Sequence, residues 1–245
     1  MRSKPKLDLS TFDGQLLDGL DFCKDVYDLF DQVKAGVDGT RRLRLRPTKL
    51  EKRLVEELIP IARYVQARYR EGRRIKVRWF SGSQPFDAVL WSFGELVKQK
   101  MARRKVVVEV TTSVHPNDHL RRKLLDERGG CFSVNGIMRD KKTGTVISNP
   151  QVHNGHEIAI DLADQILDRL RSKGAKKYPA ETVLIINCVA NGLTLPSEWN
   201  DAIERVNQAK MAFTFREVFL IEAVMSHSTT LYGGQKRPQR VKLGL

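Results

Sequence analysis

Cysteine is scarce in this chain: Cys23, Cys131 and Cys188 are the three among 245 residues, widely spaced and without a Cys-x-x-Cys pair. So small and scattered a set supports neither a disulfide framework nor a thiolate zinc site, and it fits a reducing cytoplasm. Long apolar runs are missing as well. The longest, Val183 to Ala190 broken by Asn187 and Val218 to Met225 broken by Glu222, fall well short of the roughly 20 residues that cross a bilayer, so no membrane association is expected. The opening Met-Arg-Ser-Lys-Pro-Lys-Leu-Asp is basic but is followed by no continuous apolar stretch or small-residue cleavage site, which argues against secretion.

What the chain has in excess is positive charge, with 43 Lys and Arg against 29 Asp and Glu and a net charge of +14. A polyanionic partner is the natural expectation. The excess is regional: residues 41–80 hold fourteen basic and four acidic residues, whereas residues 1–40 hold five basic and eight acidic. With Tyr64, Tyr69 and Trp79 interleaved, Arg41, Arg42, Arg44, Arg46, Arg73, Arg74 and Arg78 suit phosphate-backbone contact with some stacking. Lys123, further along, belongs to the same set of candidate nucleic-acid contacts. An ordinary charged helix face is the competing reading.

The periodicity of apolar residues divides the chain. Leu9, Phe12, Leu16, Leu20, Cys23, Val26, Phe30 and Val33 mark one or two amphipathic helices in an N-terminal arm, residues 1–46. Thr48 and Glu51 form a capping box that starts a helix whose stripe runs Leu50, Leu54, Leu58, Ile61 and Val65, with Pro60 expected to kink or restart it. Three Val-, Ile-, Phe- and Trp-rich strands follow at 75–80, 85–91 and 105–112, then a helix at 117–127 and a β-hairpin insertion at about 129–150. A long helix from Gly155, a strand at 182–189, a helix from Pro196 and a strand at 215–224 complete a core spanning 47–225. Residues 226–245 read as a basic tail. The class is α/β, a mixed central sheet flanked by helices.

Two acids lie where acids are least expected, inside strands: Asp87 in Gln-Pro-Phe-Asp-Ala-Val-Leu and Glu109 in Val-Val-Val-Glu-Val-Thr. A buried carboxylate costs several kcal/mol unless it finds a cationic partner, a proton or a metal ion. If the two strands pair, the carboxylates approach each other and a shared cation relieves their repulsion. Two carboxylates suit Mg2+ or Mn2+, which keep several waters and accept a phosphate oxygen as a further ligand. The histidines offer a rival in His115, His119, His153 and His156, but their spacing matches no zinc motif with a mechanism attached.

The order helix, strand, Asp-bearing strand, Glu-bearing strand, helix, strand resembles the restriction-endonuclease-like PD-(D/E)XK nuclease superfamily over Thr48 to about Val189. The resemblance implies that Asp87, after Pro85, is the first acid and that Glu109-Val110-Thr111 is the E-x-K element. It implies that Asp87 and Glu109 hold Mg2+ or Mn2+, with Glu57 as an additional acid and Gln84 and Thr111 positioning water. Thr111 stands where the family keeps a lysine; Arg122, Lys123, Lys173 and Lys176 are the candidate substitutes. The expectation is a metal-dependent endonuclease acting on nucleic acid, DNA before RNA, with a homodimer left open. A catalytically inactive relative that binds nucleic acid or a protein is the alternative.

Overall fold

A computed structural model describes residues 7–189, 195–223 and 227–232. Its centre is a mixed seven-stranded sheet, in the order β1-β2-β3-β4-β7-β8-β9. The strands are β1 (Leu17–Asp18), β2 (Arg74–Trp79), β3 (Ala88–Phe93), β4 (Lys105–Ser113), β7 (Thr182–Cys188), β8 (Glu217–Glu222) and β9 (Ser228–Tyr232). The β1-β2-β3-β4 half is antiparallel, β4-β7-β8 is parallel, and β9 returns antiparallel on the far edge. Parallel neighbours need long crossovers. Between β4 and β7 these are α6 (Asp118–Arg128), a separate two-stranded hairpin of β5 (Ile137–Arg139) and β6 (Val146–Ser148), and α7 (Gly155–Gly174). α8 (Pro196–Gln208) links β7 to β8.

Alternation along the strands divides the core between two faces. Val106, Val108, Val110, Val183 and Ile185 pack with α1 (Gly19–Ala35) and α4 (Ile59–Arg68), whereas Leu184, Ile186, Cys188, Val218 and Leu220 pack under α7 and α8. Central strands covered on both faces read as nearly continuous apolar runs. That pattern makes Glu109 conspicuous in β4.

The N-terminal segment is more integrated than an arm. Leu7, Leu9 and Phe12, together with Phe22, Cys23 and Val26 of α1, are buried in the main core, and Leu17–Asp18 extends the sheet beside β2. Of the stretch 226–245 expected as a tail, Ser228–Tyr232 is instead β9, its Leu231 buried under the α7–α8 layer. Residues 226 and 233–245 lie outside the described residues.

The capping box is present: Thr48 receives the Leu50 N–H, and Glu51 reaches back to the Thr48 N–H, opening α3 (Lys49–Arg53). From there the helix widens into a π-turn, Leu54–Leu58, before resuming as α4. Pro60 is the reason: it has no N–H to give residue 56, and its ring crowds that carbonyl. The chain accommodates it with a wider turn, in which the Ile59 N–H bonds Leu54. Leu54, Leu58, Ile61 and Val65 are nonetheless fully buried, each worth about 1.5–3 kcal/mol of transfer free energy. The π-turn carries Glu57 toward the end of the sheet.

Candidate active site

Pairing of β3 with β4 stops at Ala88 opposite Val108. One residue before β3, Asp87 gives its N–H to the Val108 carbonyl and its carbonyl to the Phe80 N–H. Its carboxylate receives the Val110 N–H at 2.7 Å, so a side chain takes over as acceptor where the β3–β4 ladder ends. Among the described residues no β3–β4 ladder pair lies beyond that point.

The 80–87 loop that delivers Asp87 is fastened at several points. Phe80 and Phe86 meet edge to face at 5.8 Å, the Gln84 amide donates to the Phe80 carbonyl at 3.3 Å, and the Ser81 N–H donates to Asp13 at 2.8 Å. The Arg53 guanidinium donates to the Ser81 carbonyl. Gln84 thus holds the loop through its amide.

Glu109 lies in the middle of β4, opposite Leu184 of β7, and is buried on the α7 face. Its cation comes from the last turn of α7: Lys173 Nζ is 2.5 Å from Glu109 Oε1. The Tyr178 hydroxyl donates to the same oxygen at 3.3 Å. Lys173 is one of the candidate substitutes for the absent motif lysine; nothing marks Tyr178 beyond its place after Lys176-Lys177. Thr111 stands two residues on, half-buried, on the same side of β4 as Glu109.

Glu57 accepts the Trp79 indole N–H at 3.0 Å. Burial pushes its carboxyl above the usual range; Trp79 and Arg53 oppose the shift, and the charges of Glu56 and Glu109 add to it. Asp87 is the more perturbed acid. Burial is the largest cause, the Glu109 charge comes next, and together they push it up to about 7 against the Val110 hydrogen bond. Glu57 and Lys173 also act on Asp87, with opposite signs. The charges of Glu57, Glu109 and Lys173 thus all act on Asp87, at the end of the β3–β4 ladder.

The donor set suits a hard divalent cation in one respect, since Asp87 is a desolvated carboxylate beside a second carboxylate. Among the described residues no group of three or more His, Cys, Asp and Glu could hold a metal ion. Asp87 and Glu109 are the two carboxylates that act on each other there, and Glu109 is already paired with Lys173.

The arginines of residues 41–46 all have partners within the fold. Arg41 pairs with Asp126 at 2.8 Å, Arg42 with the fully buried Glu51 at 2.6 Å and Arg46 with Glu56 at 2.7 Å, and Arg44 donates to the Leu125 carbonyl at 3.0 Å. They fasten α2 (Gly39–Leu45) to α3, the π-turn and α6. Arg73 is buried and donates to Ser92 at 3.1 Å, and the Arg78 guanidinium lies 5.6 Å from the Trp91 ring centre. Arg74 is exposed, and Lys123 is 3.6 Å from Glu127 on the surface of α6.

The histidines do not converge. His115 accepts the Asn117 N–H, His119 lies against the Pro116 carbonyl, His153 faces Glu157 and Asn135, and His156 faces Arg205. No helix among the described residues is long and apolar enough to cross a membrane. Comparison with protein-family models, with curated proteins and with solved structures gave no match for this chain.

Proposed function

We propose that this chain is a divergent PD-(D/E)XK-type nuclease that hydrolyses phosphodiester bonds in nucleic acid, DNA before RNA, with the help of Mg2+ or Mn2+. The observation that carries the reading is the charge of Glu109 acting on Asp87 at the end of the β3–β4 ladder, with Lys173 on Glu109. The β2-β3-β4-β7 part of the sheet, antiparallel twice and then parallel, supports it.

Asp87 and Glu109 would hold the cation. When bound, such a cation supplies an acidified water and a countercharge for the attacked phosphate, worth several kcal/mol of barrier. The protein's own groups do the rest. Val110 N–H and the loop fastened by Asp13 and Arg53 fix the Asp87 carboxylate. Tyr178 helps fix Glu109 by donating to the oxygen that Lys173 meets. Lys173 reaches in from a helix and takes the part a lysine two residues after Glu109 would have played: an ammonium beside the carboxylate, able to orient water or meet a phosphate oxygen. The Thr111 hydroxyl can donate to the same phosphate.

A second reading, nucleic-acid binding without cleavage, is favoured by the uncharged Thr111. Incubation of plasmid and oligonucleotide substrates with Mg2+ or Mn2+ separates the two. Cleavage that falls by about two to three orders of magnitude in both Asp87→Asn and Glu109→Gln supports the nuclease. Binding with no cleavage in any protein selects the second reading.

A further inference from the structure

α7 runs antiparallel beside β4, with Lys173 on Glu109 at one end and Asp161, whose charge acts on His115, at the other. Between these ends the α7 side of β4 is polar. Glu109, Thr111 and Ser113 pair in register with Leu184, Ile186 and Cys188, which are apolar on that same face. Ser113 is fully buried, and its hydroxyl has no hydrogen-bond partner among the described residues.

The stripe leads toward a cavity of about 290 Å3 between α7, the start of the hairpin insertion and the end of β7. Ile158, Leu162 and Val189 give it apolar walls, and Asn135, Asp161 and Gln165 bring polar groups to it. The Asn135 amide donates to one Asp161 carboxylate oxygen at 3.0 Å and lies 3.5 Å from His153 Nε2, which orients it. Asp161 has a second carboxylate oxygen to offer. The Gln165 side-chain oxygen is buried with no hydrogen-bond partner among the described residues. A buried acceptor left unmatched costs about 1–3 kcal/mol, which a ligand with N–H donors would recover.

From these observations we infer that the cavity is a recognition pocket for a nucleobase of the bound strand, guanine above the others. A flat heterocycle fits between apolar walls, and the unmatched cavity atom, Gln165 Oε1, and the Asp161 carboxylate are acceptors. Guanine presents two adjacent N–H donors on its pairing edge, whereas adenine, cytosine and thymine each present one donor group there. From Asp161 to Lys173 is about 18 Å along the helix at 1.5 Å per residue. That is about five stacked nucleotides from the carboxylate pair. The inference rests on the nucleic-acid reading for the source of the base, but not on cleavage.

The test is calorimetric titration of the full chain, without metal, with GMP, AMP and UMP, and with oligothymidylate carrying or lacking one guanine. GMP is expected to bind at least tenfold more tightly than AMP or UMP, the discrimination of a good bidentate contact. The single guanine should strengthen oligonucleotide binding. Gln165→Leu and the exposed-site variant Asp161→Asn should each erase the preference, while Asp87→Asn keeps it. Equal affinities, no saturation, unchanged variants, or an oligonucleotide indifferent to its guanine would each overturn the inference. GMP selectivity in a chain that never cleaves would remove the nuclease reading alone; cleavage without base preference would remove the pocket alone.

Discussion

Lys173 and Glu109 are 64 residues apart in sequence, and their side chains meet at 2.5 Å. A helix end supplies the ammonium where the strand itself offers Thr111. Lys173→Ala should therefore reduce cleavage at least tenfold, and Lys173→Arg should restore part of it, because charge survives while the compact ammonium geometry does not. Thr111→Lys in the Lys173→Ala background should recover activity if the two positions serve one role. Cleavage rates of the three proteins decide this, and wild-type rates in Lys173→Ala would dismiss Lys173 from the site.

The pH dependence follows from Asp87. Its carboxyl is raised from 3.8 to about 7, burial first and Glu109 second. Below that pH the group is largely protonated and cannot ligate a cation, so cleavage at subsaturating metal should climb through about pH 7. More metal should move the midpoint down, since binding requires the ionised form. A rate–pH profile at two Mn2+ concentrations checks both; a flat profile between pH 6 and 8 would be the contrary result.

The same shift bears on stability. Asp87 keeps its proton to about pH 7 when folded but loses it near 3.8 when unfolded, so its contribution is most favourable below that window and diminishes as pH rises through it. Asp87→Asn should thus be more stable than wild type at pH 8, by about 1–3 kcal/mol after allowing for solvent at the open end of the sheet. The difference should close toward pH 4. Denaturant melts at the two pH values measure it.

Arg42 and the fully buried Glu51 form a different kind of pair, joined at 2.6 Å and tied to the Thr48 cap. Arg42→Ala leaves a buried carboxylate without its cation and should cost about 3–5 kcal/mol. Its effect on the salt dependence of nucleic-acid affinity should be small compared with that of the exposed Arg74→Ala. Paired denaturation and salt-titration measurements distinguish an architectural arginine from a phosphate contact.

The sequence carried the fold well where local chemistry decides structure. Thr48 and Glu51 announced their helix, and the valines flanking Glu109 announced a doubly covered strand. Glu109 and Asp87 could be picked out because an acid in such a strand needs an explanation. Residues 41–46 were harder, because their partners Glu51, Glu56 and Asp126 are 9 to 85 positions away. No local pattern tells an arginine that grips its own fold from one that awaits a ligand. The π-turn likewise escaped, since Pro60 signals a disturbance but not the form of its repair. β9 was hidden because an edge strand of Ser-Thr-Thr-Leu-Tyr has little apolar signature.

The proposed nuclease requires Asp87 and Glu109 to share one divalent cation. Calorimetric titration of the purified chain with Mn2+ at pH 8 measures this without reference to any substrate. One saturable site is expected, lost in Asp87→Asn and in Glu109→Gln and retained in Gln84→Ala, whose amide serves the loop. Absence of a saturable site in the wild type, or a site indifferent to both carboxylate variants, would contradict the account.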